Sequence, residues 1–261
     1  MGNIIKFEFK KNISSLLIWL MIPALISVVY LSVYPSFSEA AFDVEKLLSS
    51  YPEEMLRVLN INVNSISKME SYYPMVLGFL QLIAFAFSAT LTLKIFCKEY
   101  KNKSIEFILS KPRSRATFFN AKIISIVLLN GIFFILLSII DFIIIKVLSD
   151  MSFINFLLQQ LTIYIIMIVA TLITSIFAIK FNKIRGYDGV GFIIAFSFYF
   201  INILATILDE SKLAYLSIYG IFDLNAIISE GYNFVTLAIL FTFGVVLYVI
   251  SLTMYKKKDV L

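Results

Sequence analysis

The chain has 261 residues, of which 60% are hydrophobic and 15% are charged, and its formal net charge is +5. A soluble domain is roughly 45–50% apolar and about 25% charged, so this composition excludes an ordinary soluble fold. The sequence has no histidine and a single cysteine, Cys97. It therefore excludes an intrachain disulfide and catalysis by a histidine base, and it lacks the commonest side-chain ligand of metals.

The first elements are a basic N-terminal segment and a first apolar run. Residues 1–12 interleave isoleucine and phenylalanine with lysine, which predicts an interfacial helix on the inner leaflet; the alternative is a disordered basic start. The apolar run predicts a span at about residues 14–34 that ends at Pro35. In segment 36–71, apolar residues at helical spacing around Pro52 predict two short amphipathic helices on the outer surface, with a solvated loop as the alternative.

Five further apolar runs are long enough to cross a bilayer, which takes about 20 residues. They predict spans at about residues 74–96, 118–148, 153–179, 190–208 and 234–254. Tyr72 and Tyr73 are predicted to anchor the second span at the interface. The loop at residues 98–117 contains a predicted short amphipathic helix, residues 104–110, which Pro112 ends.

Residues 209–232 contain apolar stretches that are too short to cross a bilayer. They predict one or two half-inserted helices, forming an outer helical hairpin between the fifth and sixth spans. The predicted fold class is therefore an all-α integral membrane protein, with six transmembrane helices in a single domain that covers residues 1–261.

The distribution of charge predicts the topology. With six spans both termini lie on one side, and that side holds 17 of the 22 Lys and Arg residues but only 5 of the 17 acidic residues. Cytoplasmic loops of membrane proteins carry the excess of Lys and Arg, so we expect cytoplasmic termini. Because the basic residues flank apolar runs, this pattern also argues against a nucleic-acid partner and predicts a lipid bilayer instead.

Polar side chains inside the spans are candidates for a substrate path. Asp141 is interpreted either as a substrate-path or proton-coupling residue, or as an interfacial acid that reaches outward near Lys146. Amides inside spans usually form hydrogen bonds between helices. The candidate amides are Gln81, Asn130, Gln159, Gln160 and Asn202.

The start and middle of the fifth span have two distinctive features. Its aromatic residues share one face at helical spacing, which indicates either lipid-facing bulk or a hydrophobic gate; they are Phe192, Phe196, Tyr199 and Phe200. Three glycines at its start indicate either a close approach of helices or a plain loop-to-helix junction; they are Gly186, Gly189 and Gly191.

The loop between the second and third spans resembles the permease subunits of ATP-binding-cassette (ABC) exporters of the six-span class (ABC-2 type, type V exporter fold). Those proteins commonly have the pattern Glu-x-x-x-Gly-Thr-x-Glu-x-Leu-Leu-Ser-x-Pro-x-Ser-Arg. Lys103 replaces the usual glycine and Ser104 the usual threonine. The positions that match are Glu99, Ser104, Glu106, Leu109, Ser110, Pro112, Ser114 and Arg115.

The resemblance implies a half-transporter in a plasma membrane, and the many Ile, Lys, Asn and Phe residues indicate an AT-rich bacterial genome. Two such subunits, identical or paralogous, would pair with cytoplasmic ABC ATPase subunits that bind ATP and Mg²⁺, so the chain itself would be no enzyme and hold no cofactor. Residues 103–110 would be the coupling helix, and spans one, two and five would line the route. The expected ATPase-coupling residues are Glu99, Lys103, Ser104, Glu106, Phe107, Pro112 and Arg115.

The expected cargo is hydrophobic or amphipathic, such as an antimicrobial peptide, a toxin, a drug or a lipid-like molecule, because the spans are apolar and rich in aromatic residues. The sequence has no G-x-x-x-x-G-K-[ST] motif, so ATP hydrolysis would belong to a partner chain. Two alternatives stay open: a secondary transporter or channel in which Asp141 couples to protons or cations, and a peptide-binding resistance scaffold.

Overall fold

A computed structural model describes residues 1–61, 67–101, 114–181, 186–208 and 216–258, without the side chains at 41 and 99–101. Within these ranges the chain is helical and has no strand. The α-helices are α1 (Gly2–Glu39), α2 (Ala41–Leu48), α3 (Glu53–Val58), α4 (Met69–Lys101), α5 (Arg115–Leu148), α6 (Phe153–Lys180), α7 (Tyr187–Ile207), α8 (Ala226–Glu230) and α9 (Phe234–Lys257), and a 3₁₀ turn covers Tyr219–Ile221.

Six of these helices are long and apolar enough to cross a membrane: α1, α4, α5, α6, α7 and α9. The predicted all-α class and the six spans are therefore confirmed, and the chain is a multi-pass membrane protein. The two short helices predicted in segment 36–71 are also present, as α2 and α3. The solvated-loop interpretation of that segment is wrong.

The predictions of a separate interfacial helix at residues 1–12 and of a helix end at Pro35 are wrong. α1 runs without a break for 38 residues, with Pro23 and Pro35 inside it. Packing stabilises the helical turn of α1 that contains Pro35, because the Tyr34 ring lies 5.3 Å from the ring of Tyr72 on α4. The Tyr34 hydroxyl also donates to the carbonyl of Ser67 over 2.9 Å, so tertiary contacts override the local effect of proline.

Side-chain caps explain why some helices begin where they do. Ser114 accepts from the backbone N–H of Thr117, which starts α5 three residues before the predicted span. Ser152 caps α6 and Asn233 caps α9 in the same manner. A hydroxyl or amide oxygen at this position satisfies an N–H group that the helix leaves without a partner.

Helix α4 is the centre of the bundle. In its most apolar stretch 89% of the residues are buried, against 17% for α7 and for α9. α4 packs against α1, α6 and α7, α1 packs along α5, and α9 lies against α6 and α5. Small residues of α4, including Ala84, Ala86 and Ala89, are completely buried and allow the close approach of helices that is typical of membrane bundles.

The two ends of the bundle differ in charge. The starts of α1, α5 and α7 lie together with the ends of α4, α6 and α9, and we call this the basic end because most Lys and Arg residues lie on it or near it. The opposite end, here the far end, carries α2, α3, α8 and the 3₁₀ turn. Several groups of polar side chains lie between and at these two ends.

Candidate functional site

Asp141 lies at the junction of four helices. Its side chain on α5 is completely buried. The Tyr73 hydroxyl of α4 donates to Asp141 Oδ2 over 2.8 Å, and Gln160 Nε2 of α6 donates to the same oxygen over 3.3 Å. The buried Ser27 hydroxyl of α1 lies beside the same carboxylate. These residues form what we call the Asp141 cluster.

The burial of this cluster excludes one of the two sequence interpretations of Asp141, and the substrate-path or proton-coupling interpretation stays a prediction. An acid that reached outward to the interface beside Lys146 would be exposed, so that interpretation of Asp141 is wrong. Tyr72 and Tyr73 are also buried among protein groups rather than placed as interfacial anchors. Every donor to Asp141 that the structure describes is neutral, and a buried carboxylate with neutral partners is typical of functional positions in membrane proteins.

A second polar group joins three helices in the middle of the bundle. Asn130 Nδ2 of α5 donates to Ser88 Oγ of α4 over 2.9 Å and to Thr171 Oγ1 of α6 over 3.0 Å. Gln81 of α4 donates to Thr162 of α6 over 2.8 Å. Both amides therefore act as interhelical connectors. They lie inside the bundle, which agrees with the interpretation of such residues as hydrogen-bonding groups.

Gln159 attaches the segment between α7 and α9, described over residues 216–233, to the bundle. Its Nε2 donates to the carbonyl of Glu70 over 2.9 Å and to that of Leu224 over 3.1 Å. Tyr232 donates to the carbonyl of Leu158 over 2.5 Å. Burial raises the pKa of Tyr232, and that of Tyr219 in the 3₁₀ turn, so both phenols stay protonated at neutral pH and act as donors.

The aromatic face of α7 divides into two parts. Phe196 and Phe200 are about half exposed on the outside of the bundle. The Tyr199 ring meets the ring of Tyr219, in the segment between α7 and α9, edge-on at 5.5 Å. Asn202 is half-buried nearby. The structure thus separates Phe196 and Phe200 from the interior polar groups, and the proposed role of this face in a substrate path stays a prediction.

The glycines at the start of α7 have three different roles. Gly186 has a φ of +71° and stands just before the helix, a conformation that favours glycine. Gly191 lies against Thr90 of α4, so close that an added Cβ would be 2.7 Å from the Thr90 backbone nitrogen. Gly189 has no neighbour within 4 Å of such a Cβ. The predicted close helix approach is therefore a property of Gly191.

Most of the predicted coupling residues lie outside the described part of the chain. These are Lys103, Ser104, Glu106, Phe107 and Pro112, together with the side chain of Glu99. The coupling helix and these assignments stay predictions. Arg115 is described, and its Nη1 donates to the carbonyls of Lys256 over 3.0 Å and Lys258 over 2.6 Å, at the end of α9. Positive charge at a helix C-terminus is favourable.

A buried ion pair joins α1 to the end of α4 at the basic end. Glu8 and Lys98 form a direct ion pair, with side-chain exposures of 2% and 11%. Asn12 donates to the Glu8 carbonyl over 2.7 Å. Glu8 interrupts the apolar face of the predicted N-terminal helix, and this irregularity is the one sequence signal that indicates a buried partner. Nothing in the local sequence identifies Lys98 as that partner.

Another lysine is buried close to this pair. Lys122 of α5 is completely buried, and its Nζ lies 5.1 Å from the ring centroid of Phe96 and 5.9 Å from that of Tyr255. The faces of aromatic rings attract cations, which lowers the cost of desolvating the ammonium group. The basic end therefore holds buried positive charge on both α4 and α5, the two helices that flank segment 102–113.

Within the described ranges no three His, Cys, Asp or Glu residues are grouped so that they could hold a metal ion. A polytopic helical membrane protein with several separate groups of buried, hydrogen-bonded polar side chains is the class that the fold and these groups define. No known protein family matches the chain, and a search of curated proteins finds no significant relative.

Proposed function

We propose that the chain is the permease subunit of an ATP-driven ABC exporter, located in the plasma membrane of a bacterium with both termini in the cytoplasm. The observation that carries the proposal is the pattern of Glu99, Glu106, Pro112 and Arg115 in a basic loop between two apolar helices. Six helices of spanning length and the concentration of Lys and Arg near one end agree with it.

The position of the loop suits a mechanical role. It follows α4, the most buried helix of the bundle, so force applied to the loop would reach the centre of the packed helices. A closely packed core changes between discrete arrangements and does not deform continuously. Movement of one helix is therefore transmitted to the helices that pack against it. In this proposal a cytoplasmic ABC ATPase binds ATP and Mg²⁺ and moves the loop, and a second permease subunit completes the route.

The proposed cargo is a hydrophobic or amphipathic molecule such as a peptide, toxin, drug or lipid. Large apolar side chains cover the outside of α7 and α9, for example Phe196 and Phe241, whereas Asn130 and Asp141 are buried and hydrogen-bonded inside the bundle. A sugar or a free ion would require polar groups along an open route. An apolar cargo is the class that this surface favours.

Purification is the first experiment. The chain is extracted gently from native membranes into lipid nanodiscs, and its companions are identified by mass spectrometry. We expect a nucleotide-hydrolysing subunit in stoichiometric amount. Its absence from an intact, monodisperse particle would contradict the proposal and favour a scaffold or a secondary transporter.

Charge reversal in the loop is the second experiment. Glu106→Lys is expected to separate ATP hydrolysis from export in the assembled complex, with expression unchanged. Glu54→Lys is the matched control, because Glu54 lies on the exposed helix α3 at the far end. Export that is equal in both variants would refute the assignment of Glu106.

A second candidate function rests on the Asp141 cluster. A completely buried acid with neutral donors from two other helices is the arrangement that coupling residues of secondary transporters have. This candidate predicts that Asp141→Asn abolishes transport and that no ATPase is needed. Normal transport by this variant would count against the second candidate, and a requirement for an ATPase companion separates the two functions.

A further inference from the structure

The far end of the molecule contains an apolar cleft that neither candidate function uses. It lies between α3 and the last turns of α7 and has a volume of about 370 Å³. Met55 and Val58 line one wall, and Ile203 and Ile207 line the other. Glu54 also borders the cleft, but the surface exposed inside it is apolar, which is unfavourable for water and favourable for a hydrocarbon ligand.

The cleft is continuous with the outer surface of a membrane helix. Phe196, Phe200, Ile203 and Ile207 recur at intervals of three and four residues along α7, so they share one face of the helix. Phe196, Phe200 and Ile207 are each about half exposed. A molecule that lies along this apolar stripe therefore enters the cleft at the end of α7, without leaving apolar surroundings.

Helix α3 has the polarity of a helix at the membrane interface. Its solvent side carries an ion pair between Glu53 and Arg57, 3.5 Å apart and largely exposed. Its other side presents Met55 and Val58 to the cleft. A charged face above an apolar face is typical of helices that lie at the level of lipid headgroups.

We propose that this cleft binds one acyl chain of a phospholipid from the leaflet at the far end. The inference depends on α7 crossing the membrane and is independent of the export function. Continuity with the half-exposed stripe of α7 favours this occupant, because acyl chains cover the outer surface of a helix that crosses a membrane.

Photo-crosslinking tests the proposal. The full chain is reconstituted in phosphatidylcholine vesicles that contain a trace of phospholipid with a diazirine on one acyl chain. It is then irradiated, digested and mapped by mass spectrometry. Adducts are expected in residues 52–59 and 203–207, at several times the yield found at Phe241, which is an exposed position on α9. Yields no higher than at Phe241 would overturn the proposal.

Variants that fill the cleft make the test specific. Val58→Trp and Ile203→Trp enter from opposite walls, and each is expected to reduce cleft adducts several-fold while labelling at Phe241 persists. Leu47→Trp is the control, because Leu47 is exposed on α2 and does not line the cleft. Undiminished cleft adducts in both folded filling variants would refute the acyl-chain site.

Discussion

The contact between α4 and α7 gives the sharpest prediction for stability. Gly191→Ala places a methyl group 2.7 Å from the backbone nitrogen of Thr90 and 3.0 Å from its Cα. These neighbours are backbone atoms of the most buried helix, so relief requires α4 or α7 to shift as a whole. Overpacking of this kind costs about 1–3 kcal/mol.

The neighbouring glycine provides a matched control. Gly189→Ala adds the same methyl group within the same helix, where nothing lies within 4 Å. Alanine is favoured over glycine in a helix by about 0.8–1 kcal/mol, and both variants gain this amount. We therefore expect Gly189→Ala to be neutral or stabilising. The difference between the two variants isolates the clash, at about 1–3 kcal/mol.

The assay is reversible unfolding in mixed micelles, followed by far-ultraviolet circular dichroism as the fraction of dodecyl sulfate is raised. The quantity compared is the free energy of unfolding of each variant. A serine at position 191 is expected to resemble alanine, because it places the same Cβ atom. If the variants at positions 189 and 191 agree within about 0.5 kcal/mol, which is the scale of a typical surface substitution, the close approach at Gly191 is refuted.

Three further predictions use the same unfolding measurement. Glu8→Gln leaves Lys98 buried without its charge partner and should lower the free energy of unfolding by about 3–5 kcal/mol. The double variant Glu8→Lys, Lys98→Glu restores the pair with its charges exchanged and should recover most of that stability. An equal loss of stability in the single and double variants would contradict the ion pair. Asp141→Ala leaves the buried donors Tyr73 and Gln160 without their acceptor and should lower the free energy of unfolding by about 1–3 kcal/mol. Asp141→Asn keeps an acceptor oxygen and should lower it by less. The reverse order would argue against the Asp141 cluster. Asn130→Leu removes two interhelical hydrogen bonds and should cost about 0.6–1.7 kcal/mol, and a stabilised variant would show that these bonds contribute nothing.

Length and hydropathy are sufficient to predict the six spans, because a run of about 20 apolar residues has few other stable arrangements. Helix ends are harder to predict. Pro35 locally favours the end of a helix, but α1 continues past it because Tyr34 contacts Tyr72 and Ser67. These two partners lie 33 or more positions away in the sequence. Such packing has no counterpart in the local sequence.

Polar pairing is predictable only in part. The sequence indicates Asp141 and Gln160 as polar groups inside spans, but it favours an interfacial position for Tyr73 because tyrosine is common there. The partner of Tyr73, Asp141, is 68 positions away. The distinction between Gly189 and Gly191 is likewise a property of the neighbour that each one faces, and the sequence shows only that both are glycines.

The double attachment of α1 to α4 limits how this protein changes shape. One attachment is the Glu8–Lys98 pair, and the other is the contact of Tyr34 and Phe37 with Tyr72. Along α1 these points are about 39 Å apart, from 26 residues at about 1.5 Å each. Because α1 and α4 are in contact near both ends, they cannot slide along each other without breaking one of the two contacts. In the proposed exporter, α1 and α4 would therefore move together as one rigid body, and the lightly buried helix α9 is better placed to move relative to them.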